Sequence, residues 1–508
     1  MAPKTVLIIG AGPAGLSAAS RLLRDGGGQY HPIVVEASDF VGGIATTVEY
    51  KGNRLDMGGH RFFTKSDEVR TEWFDRYGHL FKERARVSRI LFSRSFFDYP
   101  ITLSAITVKQ LGILRALSAG LSYLWSRVLK RPEHSLEDFY INRFGPVLYR
   151  LFFENYTAKL WGVHPRFISP DWGSQRVKGL SLTKTITSLV RKPRPSGAAS
   201  AQETSLIDRF HYPPHGPGQY WDAVARRIVK DGSSLLLNHE VTALELGDDG
   251  GDLGIKRVRV HNHNTDTTLV IAPDAVISSM PIKDLIHAMG SAVPPHIAHI
   301  ASGLPYRDFI TVGVLVEKLL VTNPSNQLIA DCWIYIQEPD VALGRIQIFN
   351  NWSTEMVASP QDTVWLGLEY FCTEGDALWT MPREEFIEFA LNELVVLGFI
   401  ERNNVLDTTL VKVKKAYPGY FGAFEQFDDV RAFLQTIDNL YCVGRNGQHR
   451  YNNMDHSMLT SFEAVRVLLG ESSDKDALWT VNTESQYLES SREYYARSNS
   501  HIQSVPAP

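Results

Sequence analysis

The sequence predicts an α/β chain: one parallel sheet assembled from both ends, with a mostly helical insert and an antiparallel sheet between them. Two glycine turns and one pattern of alternation carry that expectation. Near the N-terminus, Thr5-Val6-Leu7-Ile8-Ile9 runs into Gly10-Ala11-Gly12-Pro13-Ala14-Gly15. Close to the other end, Leu440-Tyr441-Cys442-Val443 runs into Gly444-Arg445-Asn446-Gly447. Short apolar runs that stop at glycine read as buried strands closed by tight turns. In the middle of the chain, residues 309–316 and 345–349 alternate like strands lining a second domain.

The first turn has a physical reading residue by residue. Gly10 permits the sharp bend and Gly12 lets the backbone approach a pyrophosphate. Pro13 and Ala14 lead into a helix over 16–23, and Gly15 lets that helix pack close to the strand, its N-terminus facing the phosphates. Residues 32–35 form a second strand that ends at Glu36, an acid placed to hydrogen-bond a ribose hydroxyl. Strand, turn, helix, strand and acid in that order make a Rossmann-type dinucleotide site. Gly42-Gly43 after Val41 and Gly58-Gly59 before His60 add two glycine pairs that allow close approach to a large planar ligand. That favours FAD over NAD, simple turns being the alternative. Residues 234–237 and 240–246, including Val241, read as further strands of the cofactor domain, and 275–281 as the strand returning to it.

The expected fold is therefore a glutathione-reductase-like FAD-binding domain carrying an inserted helical domain and an antiparallel β-sheet substrate domain. The cofactor domain takes residues 1–95, 206–285 and 426–470. The helical insert takes 96–205, the substrate sheet 286–425, and a peripheral tail 471–508.

Composition narrows the class. A chain of 508 residues that is 44% hydrophobic can bury a large core over two or three subdomains. A net charge of −4 gives no reason to expect a nucleic-acid partner. Cys332, Cys372 and Cys442 are widely spaced, so neither a disulfide framework nor a zinc site is expected, and no metal site is assigned. The apolar run after Met1 is cut short by the glycine turn and reads as a strand, not a signal peptide, leaving the cytoplasm as the default compartment.

Two segments keep more than one reading. Residues 101–129 are rich in Leu, Ile, Ala and Trp, but Lys109, Arg115 and Arg127 exclude an ordinary transmembrane helix. An amphipathic core or active-site helix is the plainer reading, and peripheral membrane contact stays open. Residues 191–208, rich in Pro, Gly and Ser and lying beyond Arg176, read as a mobile lid or a plain surface loop.

These motifs together carry a resemblance. The GAGPAG turn, Glu36, Gly42-Gly43, Gly58-Gly59-His60, Tyr156-Thr157-Ala158-Lys159-Leu160-Trp161-Gly162, Gly344-Arg345-Ile346 and Gly444-Arg445 through Asp455-His456-Ser457 resemble the UDP-galactopyranose mutase family, in its longer, eukaryotic-type form. That family sits within the wider group of FAD flavoproteins that includes amine oxidases and protoporphyrinogen oxidase. The resemblance covers roughly residues 4–470, and its N-terminal part is common to the wider group.

The resemblance implies a flavoenzyme with no net redox turnover. Reduced FAD, with NAD(P)H as a candidate reductant, attacks the anomeric carbon of a nucleotide-sugar through N5 and expels the nucleotide diphosphate. Ring opening and reclosure then interconvert pyranose and furanose. Arg176 and Arg345 resemble the arginines that hold the diphosphate, Tyr417 and Tyr451 the tyrosines that bond its phosphates, and Asn453 a polar residue beside it. Arg445 resembles an arginine near sugar and flavin, His60 a histidine packed on the isoalloxazine, and Trp161 an aromatic of the sugar pocket. Tyr99, Tyr156 and Tyr335 complete the expected substrate set, and Asp455, His456 and Ser457 the cofactor set. Thr102 and Thr157 stand where longer members place amides, and a single hydroxyl cannot make an amide's paired contacts, so the nucleotide is open.

Two functions of different class follow: a nucleotide-sugar mutase, or an oxidoreductase of the amine oxidase type acting on an amine or hydrophobic small molecule. A flavin-binding protein without catalysis is the third. A homo-oligomer is compatible with all three.

Overall fold

Two sheets divide the chain, and the site lies where they meet. The computed structural model describes residues 2–99, 105–176, 209–248 and 252–481. In the first sheet the strands run Leu440–Cys442, Ala275–Ser278, Lys4–Ile9, Tyr30–Val35, Ser234–Leu236, each parallel to its neighbour. Val6, Leu7 and Ile8 are fully buried, as expected of a parallel strand covered on both faces. Helices Pro13–Asp25, Gly218–Lys230 and Met454–Leu468 supply part of that cover. The first helix starts three residues earlier than the sequence suggests, because Pro13 is preset for the first helical position.

A three-stranded antiparallel sheet, His239–Asp248, Leu253–Asn262 and Thr267–Ile271, is attached beside the first sheet. The His239 N–H donates to the Glu36 carbonyl at 2.8 Å, which brings this sheet to the end of the second parallel strand.

The second large sheet has seven strands, in the order Val405–Pro418, Tyr306–Val316, Val364–Cys372, Arg345–Ile348, Trp333–Ile336, Ser88–Phe92, Ser95–Asp98. The last two strands come from the stretch that the sequence assigns largely to the cofactor domain, and Ser88–Phe92 pairs in parallel with Trp333–Ile336. Alternation decides what each face does. Ile310, Val312, Ile334, Ile336, Ile346, Ile348, Leu366 and Leu368 point into a closed apolar core. The intervening residues Thr311, Tyr335, Arg345, Gln347 and Glu369 share the other face.

The helical insert comprises Ala105–Leu111, Ile113–Val128, Leu136–Tyr149, Asn155–Trp161 and Pro170–Arg176. Leu136–Tyr149 breaks at Gly145 (φ 81°), just before Pro146. The helix Ile113–Val128 overturns the expectation of a core helix. It buries Ala119, Tyr123 and Ser126 and turns its leucines to solvent. Residues 177–208, with the candidate lid 191–208, lie outside the described residues, as does Thr102.

Candidate functional site

The cofactor half of the site is made of backbone. Gly10 (φ 98°) bends away from the first strand, and Gly42 (φ 92°) and Gly43 (φ 54°) make the facing turn. The Gly42 N–H donates to the Ala11 carbonyl at 2.8 Å, tying the two turns together. A Cβ on Gly12 would meet only Gly43, at 3.9 Å, so the surface between the two turns is bare backbone. A Cβ on Gly15 would lie 1.9 Å from the Gly10 carbonyl oxygen, which excludes any side chain there. No side chain caps the N-terminus of Pro13–Asp25, whose first N–H groups lack intrahelical acceptors. Glu36 stands beside it, accepting from Ala11 N–H at 2.7 Å and from the Ser38 hydroxyl at 2.8 Å.

The two glycine turns at the chain ends do meet. A Cβ on Gly444 (φ 78°) would sit 2.9 Å from the Ala14 Cβ, and the Ser461 hydroxyl donates to the Ala14 carbonyl at 2.7 Å. Asn453 precedes the helix Met454–Leu468, its N–H donating to His456 Nδ1 at 3.4 Å. Asp455, His456 and Ser457 are buried in that helix's first turn, and Val241 is buried in its strand. These elements give a surface edged by glycine, an uncapped helix N-terminus and one acid, which fits a dinucleotide cofactor.

The other half is made of side chains. Arg345 Nε donates to Glu369 Oε2 at 2.8 Å, and Nη2 reaches the same oxygen. Glu369 is fully buried and lies directly across the sheet from Arg345. Gln347 donates to the other carboxylate oxygen, while its own Oε1 is buried without a partner among the described residues. That oxygen is 3.7 Å from where a Gly59 Cβ would be, so the Gly58-Gly59-His60 turn rests on this face of the sheet. Gly59 is also confined by the Trp352 ring, at 3.3 Å from the same position.

Arg445 is held differently. Its Nε donates to Asn452 O at 2.9 Å and its Nη1 to Ala416 O at 3.0 Å. Its guanidinium lies 4.5 Å from the Tyr451 ring centre and 5.8 Å from that of Tyr417. The two rings stack at 5.8 Å with 9° between their planes. Among the described residues no carboxylate pairs with Arg445. Burial, with the field of Tyr451 second, raises the Tyr417 phenol, and burial holds Tyr156 well above its usual range against the pull of Arg345. Tyr335 packs on Tyr99 at 4.8 Å and edge-on against Tyr156 at 5.7 Å.

His60 is pushed down to about 3, first by burial and then by the charges of Arg445 and Arg345. It is neutral at pH 7, so it acts as an uncharged imidazole and not as a cationic acid.

A profile of the family described as flavin containing amine oxidoreductase matches residues 13–469. The chain belongs to the flavin-containing amine oxidoreductase family. Its members are defined by a bound flavin, which accounts for the glycine-edged surface. Polyamine oxidase 1 of Oryza sativa subsp. japonica is 49% identical over 53 residues, a tenth of each chain. Reduced UDP-galactopyranose mutase superposes with a TM-score of 0.76 at 20% identity, over 96% of this chain and 99% of that one. A redesigned putrescine oxidase gives 0.61 at 15% identity, over 92% and 99%. At those identities the two structures establish a shared fold.

Within this flavin-containing amine oxidoreductase, the sequence-derived site residues divide. His60, Tyr99, Tyr156, Tyr335, Arg345, Tyr417, Arg445 and Tyr451 form a connected series across the sheet face and the C-terminal turn. Arg176 ends its short helix, and its side chain lies outside the described residues. Trp161 is 1% exposed and packed edge-on against Trp172, Tyr420 and Phe421, its indole N–H buried without a partner among the described residues. Thr157 is likewise buried. Arg345, which the resemblance gives as a diphosphate arginine, is paired with buried Glu369. Glu369, Gln347 and Asn452 were missed. The available signal for Glu369 was a lone acid within the apolar strand Val364–Cys372. Among the described residues no cluster of His, Cys, Asp and Glu could hold a metal, and the three cysteines are free and buried.

Proposed function

We propose that this flavin-containing amine oxidoreductase is a nucleotide-sugar mutase that interconverts pyranose and furanose forms. The observation that carries the reading is Arg445, a guanidinium with no carboxylate partner among the described residues, braced by two phenol rings beside neutral His60 and the Arg345–Glu369 pair. The bound flavin, in reduced form, would supply the nucleophile. Gly12, Gly43, Glu36 and the N-terminus of Pro13–Asp25 would hold its pyrophosphate and ribose.

The chain's own groups suit the departure of an anion. Arg445 offers positive charge where a diphosphate leaves, Tyr417 offers a hydroxyl donor that burial keeps protonated, and Tyr451 stands beside it as a second phenol. Glu369 fixes the direction of the Arg345 fork and moderates its charge. Gln347 Oε1 is a buried acceptor without a partner among the described residues, and a sugar hydroxyl is the kind of donor it lacks. Tyr99 and Tyr335 form an aromatic shelf on which a base can stack.

A second reading, an oxidoreductase acting on an amine, rests on the local match to polyamine oxidase. Dithionite-reduced, flavin-loaded protein incubated with UDP-, GDP- and dTDP-hexoses decides between them. A new nucleotide-sugar isomer, formed without oxygen uptake, is the expected result. Oxygen-dependent turnover of an amine with no isomer overturns the mutase reading.

A further inference from the structure

Flavin binding and the proposed chemistry leave the helix Ile113–Val128 unexplained, and its surface is the reverse of an ordinary globular helix. Leu114, Leu117, Leu121, Leu124, Trp125 and Val128 are between 60% and 84% exposed. At ~100° per residue they fall within an arc of roughly 100°. The buried face is narrow by contrast and carries no leucine: Ala119, Tyr123 and Ser126. That orientation is built in. The Ser122 hydroxyl accepts from Val147 N–H at 3.2 Å. A Cβ on Gly145 would sit 2.8 Å from the Ser122 carbonyl oxygen, so the backbones are too close for a leucine between them. An apolar face of this size held outward by close packing on the other side marks an interaction surface.

Charge identifies the partner. Residues 101–132 contain no Asp or Glu, but include Lys109, Arg115, Arg127, Lys130 and Arg131, in a chain whose net charge is −4. Lys109, Arg115 and Arg127 are exposed, and no carboxylate pairs with them among the described residues. Two copies of such a helix pressed face to face would bring like charges together with nothing to neutralise them. An anionic phospholipid surface complements both features, apolar arc and cationic rim, and an exposed Trp is suited to the headgroup level. Transmembrane insertion does not compete: no helix among the described residues is long and apolar enough to cross a membrane.

We propose that Ile113–Val128 is a peripheral anchor lying in the plane of a bilayer that contains anionic phospholipid. The aromatic edge of the site is close in sequence, since Tyr99 leads into this segment. The proposal is independent of which reaction the flavin performs.

Flotation of the flavin-loaded full chain with vesicles tests it, using phosphatidylcholine alone and phosphatidylcholine with about one third phosphatidylglycerol. Binding to the anionic vesicles is expected to be at least about tenfold tighter than to neutral ones and to weaken with salt. The triple change Leu117→Gln, Leu121→Gln, Trp125→Gln, at exposed positions, should abolish binding while flavin absorbance and Tm are retained. Arg115→Ala with Arg127→Ala should weaken binding on the order of tenfold. Failure of the native protein to float with either vesicle overturns the anchor. So does a concentration-dependent dimer that the triple change dissociates in a protein that binds no vesicle, since a second copy would then be the occupant.

Discussion

The surface edged by Gly10, Gly12 and Gly43 and the side-chain cluster around Arg345 and Arg445 are built on opposite principles. The first works by what is missing. It is backbone, exposed because Gly12 and Gly43 carry no side chain and Gly15 can carry none. The cluster works by what several distant segments deliver to one place: Arg345 and Glu369 from facing strands, Tyr417 from a third, and Arg445 and Tyr451 from the C-terminal turn. A site made of backbone tolerates no added atom, whereas a site made of paired charges depends on both partners staying.

The largest expected effect tests the first half of that contrast. Gly15→Ala places a methyl 1.9 Å from a carbonyl oxygen that cannot move without opening the turn. The purified variant should carry no flavin, shown by loss of visible absorbance, and full flavin loading would contradict the account of the glycine-edged surface.

Glu369→Gln addresses the second half. Removing the carboxylate leaves a buried guanidinium unpaired, at a cost of about 3–5 kcal/mol measured by chemical denaturation. Replacing both partners, Arg345→Met with Glu369→Leu, should recover most of that loss, since two apolar groups leave no charge unpaired. If the single and double variants are equally destabilised, the pair is not the unit described here.

A smaller effect concerns pH. His60, His211 and His449 are pushed down to about 3, 4 and 4 by burial, so below pH 6.5 the unfolded chain binds protons that the folded chain refuses. Their contribution to stability is present above 6.5 and is lost as the pH falls toward those values. Asp56 acts in the opposite sense. Burial raises it to about 7, so the folded chain holds a proton that the unfolded chain releases, and its contribution declines as the pH rises from about 4 to 7. Asp56→Asn should therefore steepen the acid limb of a stability profile by up to ~1.4 kcal/mol per pH unit. An unchanged slope would mean that Asp56 is ionised in the fold.

The smallest change is Arg445→Lys. It keeps the charge but loses the planar group braced by Tyr417 and Tyr451, a difference of about 1 kcal/mol, or roughly fivefold in the affinity for a nucleoside diphosphate. Titration calorimetry with UDP measures it, and unaltered binding would remove Arg445 from the anion site.

Much of the cofactor surface was legible in the sequence because its requirements are local. A strand that ends in glycine, a helix preset by Pro13 and an acid after the next strand constrain one another within a few tens of residues. The return strand near 275 and the closing turn at Gly444 followed from the same signals. Of the seven-stranded sheet, two strands, near 309–316 and 345–349, were legible in the sequence, and the site they help to build was not. Arg345 could be singled out, but only pairing across the sheet places Glu369 opposite it and makes the two a neutral pair. Trp161 shows the same limit, since nothing in its local motif reveals the aromatic cluster into which it packs.

The sequence of residues 101–129 reads as an amphipathic helix; the structure gives two, Ala105–Leu111 and Ile113–Val128, separated at Gly112. The sequence does not say which face goes inward. Packing decided that, because Ala119, Ser122 and Gly145 allow two helix backbones to approach at a distance that leucine forbids. Short-range sterics, written in glycine, proline and alternation, are thus a property of the chain alone. Charge pairing and the choice of buried face arise between segments far apart in sequence, and only the folded structure sets them.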